Sequence, residues 1–248
     1  MIWVYLSPHF DDVALSCGGL AWEQSQAGED VQVWTICAGE VPPGPLSSFA
    51  ATLHTRWESG HNAPAERRAE DLAACRAMDA TPRHFELPDC IYRRGLDQVT
   101  HLYASEAGIF GPLHADEAGL VDRLAADLRA LIPTGAEVVC PLTLGGHVDH
   151  RLTRAAVEKI DGNVWYYADY PYVLLYASEL ETLRQSGWQS TIIPVSEAGL
   201  EAWIESVAAY ASQLSTFWPD DASMRAALRD YWQSAGGGVN LWRRNLEK

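Results

Sequence analysis

The amino-acid sequence predicts an α/β protein, a Rossmann-like three-layer sandwich with a mostly parallel central sheet. Apolar runs of strand length alternate with amphipathic stretches of helical length over the first 160 residues, an order typical of parallel strands joined by right-handed crossovers. Two polar clusters, His9-Phe10-Asp11-Asp12 and His147-Val148-Asp149-His150, each closely follow such an apolar run. Loops that leave the carboxyl ends of neighbouring parallel strands meet in one crevice, where these folds bind ligands. We therefore predict the functional site at that end of the sheet.

Strands and helices alternate along the first part of the chain. Apolar runs predict strands over 2–6, 31–38, 84–87 and 138–142. Helical spacing of apolar residues predicts helices over 13–27, 65–79, 118–131 and 149–160. Gly28 is placed to end the first helix. In the second helix, Leu72, Cys75 and Met78 are expected to share one buried stripe.

The last third of the chain carries further strands and helices. We predict strands over 164–167 and 190–195 and helices over about 197–212 and 223–234, followed by three glycines that lead into 239–243. The stretch 214–218 is interpreted as a turn between helices. Because the sequence contains neither an internal repeat nor a long linker, we predict one domain over 1–248, with a C-terminal extension of strands and helices from about 161.

The segment 39–64 differs from its surroundings. It is rich in Pro, Gly and Ser, contains His54 and His61, and shows weak periodicity. Long loops in compact domains often bind ligands or act as lids. A tolerated surface excursion explains the composition equally well, and the sequence leaves both readings open.

Composition limits the class of protein. The formal net charge is -15 and no stretch is strongly basic, which excludes a nucleic-acid partner. The chain shows neither a signal peptide nor an apolar run of the roughly 20 residues needed to span a bilayer, so we expect a cytoplasmic protein without membrane insertion. The five cysteines are scattered without a Cys-x-x-Cys pair, which favours buried, reduced thiols. A homo-oligomer is compatible with the aromatic-rich second half.

The two polar clusters together predict a metal site. Three imidazoles and at least two carboxylates would meet in the crevice. A catalytic zinc site needs such a set, because it has three N/O ligands, an open position for water and a free carboxylate as base. Either cluster alone is weak evidence, since His-x-x-His occurs by chance and paired aspartates often cap helices. Their shared position after two strands of one sheet makes coincidence a poor explanation.

The same residues resemble a known family. The first cluster, continued by Val13-Ala14-Leu15-Ser16-Cys17-Gly18-Gly19, and the second, preceded by Gly145-Gly146, are similar to the two signature motifs of the LmbE-like or PIG-L family. These proteins are zinc-dependent de-N-acetylases of N-acetylglucosamine-containing substrates. The resemblance implies zinc ligands at His9, Asp12 and His150. It further implies Asp11 as the general base and His147 as the group that stabilises the oxyanion or protonates the leaving amine.

Three positions depart from the family pattern. The proline that usually follows the first histidine is Phe10, and the glutamate that often follows the paired aspartates is Val13. A tyrosine that some members carry two residues before the second motif is Gly145. A phenol that assists the oxyanion would have to come from elsewhere, and the aromatic connection offers three: Tyr167, Tyr170 and Tyr172.

Three residues are candidates for substrate binding. The resemblance extends to Glu66-Arg67-Arg68-Ala69-Glu70 and Leu87-Pro88-Asp89, and places a substrate-contacting arginine at Arg67; a surface ion pair with Glu70 is the structural alternative. Asp89 could accept hydrogen bonds from sugar hydroxyls or simply form a turn. Trp57 is the better candidate for sugar stacking, because Trp3, Trp34 and Trp165 fall in predicted strands.

Other histidines are interpreted as ordinary surface or loop residues, since their spacing does not suit a metal: His84, His101 and His114.

The leading hypothesis is a metal-dependent hydrolase that removes an N-acetyl group from an N-acetylglucosamine-containing small molecule or glycoconjugate. Water activated by Zn²⁺ would attack the amide with Asp11 as base, and Fe²⁺, Co²⁺ or Mn²⁺ would also suit such ligands. A dinucleotide-dependent enzyme is disfavoured, because the first loop lacks Gly-x-Gly-x-x-Gly. The remaining alternative is a non-catalytic sugar- or metal-binding protein on the same fold.

Overall fold

The computed structural model describes residues 1–57, 63–160 and 162–244, and a seven-stranded sheet forms its centre. The strands are, in chain order, β1 (Ile2–Ser7), β2 (Asp30–Thr35), β3 (Thr81–His84), β4 (Glu137–Pro141), β5 (Asn163–Tyr167), β6 (Trp188–Pro194) and β7 (Gly238–Arg244). Their order across the sheet is β3-β2-β1-β4-β5-β7-β6. Strands β1 to β5 pair in parallel, while β7 is antiparallel to both β5 and β6.

The strand order reverses direction beside β1. The chain runs from β1 outward through β2 to β3, then returns to place β4 on the other side of β1. In a doubly wound sheet this reversal opens a crevice at the carboxyl ends of the two central strands. Residues that directly follow β1 and β4 therefore lie together.

Helices cover both faces of the sheet. They are α1 (Asp12–Gln26), α2 (Ser48–Arg56), α3 (Ala63–Ala77), α4 (Glu106–Ile109), α5 (Leu120–Leu131), α6 (Val148–Val157), α7 (Tyr172–Leu175), α8 (Ala177–Gln185), α9 (Glu197–Ala208), α10 (Ala211–Phe217) and α11 (Asp221–Ser234). Helix α9 packs against α1, α3 and α11, whereas α5 and α6 pack against each other. This arrangement gives the three layers that the alternating sequence pattern predicts.

The chemistry of single residues explains where the elements begin and end. Helix α1 starts as soon as the chain leaves β1 and is interrupted at Cys17, whose backbone is not helical. Gly28 follows the helix with a φ of 82°, the left-handed conformation that glycine adopts without a steric penalty. Ser196 caps α9 by accepting a hydrogen bond from the Gly199 amide.

The predicted fold class is confirmed, and so are most of the elements, with three corrections. The third strand lies at Thr81–His84 rather than 84–87, because its pairing with β2 ends at His84. The helix predicted over 197–212 is two helices, α9 and α10, so the turn expected at 214–218 lies mostly inside α10. Leu72 is 37% exposed, since the buried face of α3 instead carries Arg67, Asp71 and Cys75.

The segment 39–64 is only partly irregular. It contains α2 and the start of α3, while His61 lies outside the described residues. His54 is buried on α2, and its Nε2 lies 2.6 Å from the Tyr92 hydroxyl. The α2 part of the segment thus packs on the protein and lines the cavity that also contains His9, His147 and His150.

Two further expectations concern the chain as a whole. All five cysteines are buried and unpaired, as predicted. Among the residues that the structure describes, no helix has the length and apolar character needed to cross a bilayer.

Candidate active site

The two polar clusters meet at the crevice beside β1 and β4. His9, Asp11 and Asp12 occupy the turn between β1 and the first residue of α1. His147 caps α6 and His150 lies in its first turn. The His9 and His147 rings pack edge to face with centroids 4.7 Å apart.

The clusters supply a donor set suited to a metal ion. Nitrogen atoms of His9, His147 and His150 all lie within 4.8 Å of one another. The Asp12 carboxylate lies between two of these rings: its Oδ2 is 3.3 Å from His9 Nδ1, and its Oδ1 is 3.3 Å from His150 Nε2. Ligand atoms that share one tetrahedral zinc ion at about 2.0–2.1 Å are about 3.3 Å apart. The three imidazoles, with the Asp12 carboxylate beside two of them, therefore supply a donor set that fits a divalent metal ion.

Aspartates behind the rings orient both imidazoles. His150 Nδ1 lies 2.6 Å from Asp169 Oδ1, and His9 Nε2 lies 3.1 Å from Asp149 Oδ2. Each ring thus has one nitrogen held by an aspartate and the other turned toward Asp12. This carboxylate–histidine arrangement fixes the tautomer and orientation of metal-binding histidines.

These supporting aspartates were missed by the sequence reasoning. Asp149 stands inside the second motif between the two histidines, and its position one residue before His150 could have drawn attention to it. Asp169 follows β5 after Tyr167 and Ala168, and no local pattern marks it. Its carboxylate also accepts a hydrogen bond from the Leu144 amide at 3.0 Å, which ties the loop after β4 to the loop after β5.

Asp149 is itself held by a buried ionic network. Arg93 Nη1 lies 2.5 Å from Asp149 Oδ1, and the Cys90 amide donates to Asp149 Oδ2 at 3.0 Å. On its other side, Arg93 Nε lies 2.5 Å from Glu117. The carboxylate behind His9 is therefore fixed by several partners, and the arginine beside it keeps the pKa of Asp149 well below its usual range despite burial.

Asp11 lies next to these donor side chains and pairs with Arg67. Arg67 Nη2 is 3.3 Å from Asp11 Oδ1, and both side chains are buried. The Arg67 guanidinium also lies over two rings, 5.3 Å from the centroid of Trp57 and 5.6 Å from that of Phe10. The alternative of a surface ion pair between Arg67 and Glu70 is wrong, because Glu70 instead accepts hydrogen bonds from Ser212.

The pKa values of the two neighbouring aspartates are shifted in opposite directions. Burial raises the pKa of Asp11, and Arg67 only partly offsets this effect. Burial acts on Asp12 as well, but the His150 and His9 imidazoles hold the pKa of Asp12 well below its usual range. The pair thus separates into a more acidic carboxylate, Asp12, and a more basic one, Asp11.

His147 is a neutral imidazole in this environment. Burial and the neighbouring His9 ring lower its pKa well below the usual value, which disfavours the protonated form that oxyanion stabilisation by charge would need. Its Nδ1 accepts a hydrogen bond from the Asp149 amide at 3.3 Å. In the neutral ring the proton then resides on Nε2, so His147 can serve as a hydrogen-bond donor.

The other predicted substrate residues lie at the same cavity. Asp89 Oδ1 accepts a hydrogen bond from the Ile91 amide, as a turn-forming aspartate does, while its Oδ2 lies 3.8 Å from His9 Nε2. Trp57 is half-buried and lines the cavity, with Arg67 over one face of its ring. His84 is not an ordinary surface residue, because its Nε2 lies 2.7 Å from the fully buried Asp71.

The three candidate tyrosines differ in whether they line the cavity. Tyr167 is fully buried and donates its hydroxyl proton to the Leu6 carbonyl at 3.1 Å, so it is wrong as a candidate for the cavity. Tyr170 and Tyr172 both line the cavity. The space beside Gly145 is already filled, because a Cβ there would lie 2.9 Å from Tyr176 and 3.3 Å from Tyr172. Tyr172 thus occupies the neighbourhood that a tyrosine at position 145 would enter.

A cavity of about 330 Å³ opens above these residues. Its floor carries the three histidines and the Asp11–Asp12 pair, and its walls come from α2, α4 and α10 and from the connection at Tyr170–Tyr172. Concave sites for small molecules typically measure about 300–1,000 Å³. The cavity is therefore large enough for a small-molecule ligand.

Comparison with known proteins agrees with this geometry. Residues 4–160 match the model of the PIG-L family, described as GlcNAc-PI de-N-acetylase. The chain is 28% identical over 244 residues to 2'-N-acetylparomamine deacetylase of Niallia circulans, covering 90% of this chain and 84% of that protein. It is 30% identical over 237 residues to 2'-N-acetylparomamine deacetylase of Streptomyces fradiae, covering 90% and 76%.

A solved structure extends the likeness to the whole chain. The crystal structure of the zinc-inhibited form of teicoplanin deacetylase Orf2 superposes with a TM-score of 0.82 at 27% identity, covering 100% of both chains. The family match spans both polar clusters, and the similar proteins named here are all called deacetylases. The chain belongs to the PIG-L, or LmbE-like, family.

Proposed function

We propose that this protein is a zinc-dependent N-deacetylase that removes the acetyl group from an N-acetylglucosamine-containing small molecule or glycoconjugate. The observation that carries the proposal is the convergence of His9, Asp12 and His150 beside a separate, more basic carboxylate, Asp11. The relatives named for acetylparomamine and teicoplanin deacetylation support an amino-sugar amide as the bond cleaved.

Each side chain has a role that follows from its surroundings. When bound, Zn²⁺ would lower the pKa of a water molecule from about 15.7 to about 7. Asp11 accepts the proton of the attacking water, since burial makes this carboxylate the more basic of the pair. The His147 Nε2–H donates a hydrogen bond to the oxygen that becomes negative as the amide carbonyl is attacked. Arg67 holds Asp11 in position through their ion pair.

The donor set bears on the identity of the metal. Two imidazoles and one carboxylate, with an open position, form a common ligand set for catalytic zinc. The same ligands accept Fe²⁺, Co²⁺ or Mn²⁺. We propose Zn²⁺ as the ion, with Arg67, Asp89 and Trp57 as substrate contacts around it.

A non-catalytic binding protein on the same fold is the alternative. It would retain the cavity but have no use for a basic carboxylate beside the metal ligands. Here the five positions assigned to metal binding and catalysis all carry competent side chains, and the supporting Asp149 and Asp169 are also in place. This completeness favours the enzyme.

The proposal is tested by the substitution Asp11→Asn in zinc-loaded protein. Loss of a general base typically lowers the rate about 10²- to 10⁴-fold, so acetate release from an N-acetylglucosaminide should fall by that factor. Bound zinc should stay at one ion per chain, because Asp11 is not a ligand. The control is Asp97→Asn, on an exposed turn where Asp97 bonds only within 97–100 among the described residues. Unchanged turnover in Asp11→Asn would overturn the assignment of the base.

A further inference from the structure

The mouth of the cavity is apolar, in contrast with its floor. Five side chains form this apolar rim: Phe49 and Leu53 from α2, Ile109 and Phe110 from the α4 region, and Phe217 from α10. All five are half-buried, whereas the histidines of the floor are buried or nearly so. The rim therefore lies between the metal-binding residues and solvent, and any group attached to a sugar on the floor must pass it.

Phe110 links the rim to the floor. Its ring packs edge to face on His147 with centroids 5.5 Å apart, and on Tyr172 with centroids 6.1 Å apart. Aromatic rings attract other aromatic rings in such edge-to-face or offset arrangements. The three phenylalanines of the rim thus offer a surface for a further planar, apolar group.

The charges at the cavity do not favour the binding of a cationic group at the apolar rim. Four carboxylates line the cavity: Asp11 pairs with Arg67, and Asp12 lies between two imidazoles. Asp89 accepts a hydrogen bond from a backbone amide and lies beside His9. Glu106 is the fourth and is exposed to solvent. Two cations, Arg56 and Arg67, line the same cavity.

The pocket that adjoins the cavity beside Asp11 is too small for a long chain. This separate pocket measures only about 10 Å³ and is lined by Asp11, Leu15, Tyr210 and Phe217 among others. A single water molecule already needs about 10–15 Å³ of such space. A long acyl chain therefore has no room beside Asp11, whereas the rim offers apolar surface at the mouth.

We propose that the apolar rim binds an aromatic aglycone joined to the N-acetylated amino sugar, and that the floor admits only a short acyl group. This inference rests on the proposed function and specifies the substrate of that same site. The aglycone is remote from the amide that is cleaved, so its contacts are made equally in the ground and transition states. Such contacts lower KM and leave kcat nearly unchanged.

The experiment compares the zinc-loaded enzyme on three N-acetylglucosaminides with methyl, phenyl and 2-aminoethyl aglycones, and on phenyl N-octanoylglucosaminide. One aromatic contact strengthens binding by about two- to twelvefold beyond the area it buries. We expect kcat/KM for the phenyl glycoside to exceed that for the methyl glycoside about tenfold, through KM. The 2-aminoethyl glycoside should show no gain, and the N-octanoyl compound should be cleaved at least tenfold more slowly than its N-acetyl counterpart.

Variants connect the preference to the rim. Phe110→Ala should reduce the phenyl-to-methyl ratio to about two, and Phe49→Ala on α2 provides a second test if the first variant folds poorly. The control is Leu96→Ala, an 81% exposed apolar residue away from this cavity, which should keep the wild-type ratio. The ratio of calorimetric Kd values for the phenyl and methyl glycosides, measured on Asp11→Asn, gives the same information without turnover.

The outcomes separate this inference from the proposed function. If neither the methyl nor the phenyl glycoside is deacetylated, the proposed function fails, and a phenyl-to-methyl Kd ratio near one then overturns the aglycone site as well. Deacetylation with equal kcat/KM for methyl and phenyl glycosides, or a preference that survives both Phe110→Ala and Phe49→Ala, overturns the inference alone. A larger gain with the 2-aminoethyl glycoside would show a cation site, and efficient cleavage of the N-octanoyl compound would show that the rim holds the acyl chain.

Discussion

At the scale of single residues, Phe10 shows how a departure from the family pattern is accommodated. The buried Phe10 ring lies 5.6 Å from the Arg67 guanidinium, and Trp57 lies on the same cation at 5.3 Å. Cation–π contacts of this kind contribute about 0.5–2 kcal/mol, more when the groups are desolvated. Phe10 therefore replaces the stiff proline with a ring that helps to fix Arg67 against Asp11.

The ion pair between Arg67 and Asp11 predicts how activity depends on pH. Burial raises the pKa of Asp11 and the Arg67 charge lowers it, with burial the larger effect. A base must be ionised to act, so activity should be lost as the pH falls through this raised pKa. Arg67→Gln removes the lowering charge and should move the acid limb of the kcat/KM profile to higher pH. Arg76→Gln, on the exposed side of the same helix, should leave the limb in place, and an unshifted limb in Arg67→Gln would contradict the pairing.

At the scale of elements, the loop after β5 supports the loop after β4. Asp169 holds His150 Nδ1 at 2.6 Å and the Leu144 amide at 3.0 Å. Replacing a carboxylate behind a metal-binding histidine typically weakens metal affinity about 10- to 100-fold. Asp169→Asn should show that loss in a zinc competition titration, whereas the exposed Asp127→Asn on α5 should not. Wild-type affinity in Asp169→Asn would mean that His150 does not depend on this support.

The approach of α1 to α9 depends on a glycine. A Cβ at Gly19 would lie 2.9 Å from Val195 Cγ1, 3.1 Å from the Gly199 carbonyl oxygen and 3.1 Å from Trp203 Cε3. Gly19→Ala gains about 1 kcal/mol of helix propensity, but overpacking a core costs about 1–3 kcal/mol. Since Trp203 is fully buried and cannot move aside, we expect a net loss of about 1 kcal/mol and a Tm lower by about 3 °C.

Thermal unfolding of Gly19→Ala and of Gln26→Ala, at the exposed end of the same helix, checks this prediction. The second variant should unfold within about 1–2 °C of the wild type, because exposed substitutions usually change stability by less than 0.5 kcal/mol. A raised Tm for Gly19→Ala would show that the helices can separate without cost.

Sequence periodicity predicted long elements better than short ones. Strands β1 and β4 were located within one residue at each end, because both are mostly apolar and largely buried. The second strand was predicted to continue to Ala38, three residues beyond the end of β2 at Thr35. Strand β3 was shifted because its residues Thr-Pro-Arg-His carry no apolar pattern and the strand is defined by pairing with β2. The break between α9 and α10 was missed because apolar residues continue through it at helical spacing.

At the candidate site, too, some features follow from local sequence and others depend on contacts between distant segments. The meeting of the two motifs could be predicted because both closely follow strands, which the parallel topology brings together. Asp169, Arg93 and Glu117 could not, because each reaches the site through a fold-dependent contact between distant segments. The surroundings of Tyr167 likewise depend on which face of β5 is covered, which the sequence of one strand does not reveal.

At the scale of the whole molecule, the direction reversal beside β1 creates the site. Strands β2 and β3 continue the sheet on one side, and β4, β5, β7 and β6 continue it on the other. Only the loops after β1 and β4 face each other across this reversal, and these are the loops that carry the two motifs. The surrounding cavity is then shaped by α2, α4 and α10, segments that can vary without disturbing the sheet.

Anomalous diffraction from crystals of the zinc-loaded protein tests directly whether one ion is held between the loops after β1 and β4. We expect a single peak with His9 Nδ1, His150 Nε2 and an Asp12 oxygen at about 2.0–2.2 Å from zinc. A different trio of donors near this site, Cys90, His147 and Asp149, also has its ligand atoms within 4.8 Å of one another. A peak on that trio, or no peak between His9 and His150, would contradict the account.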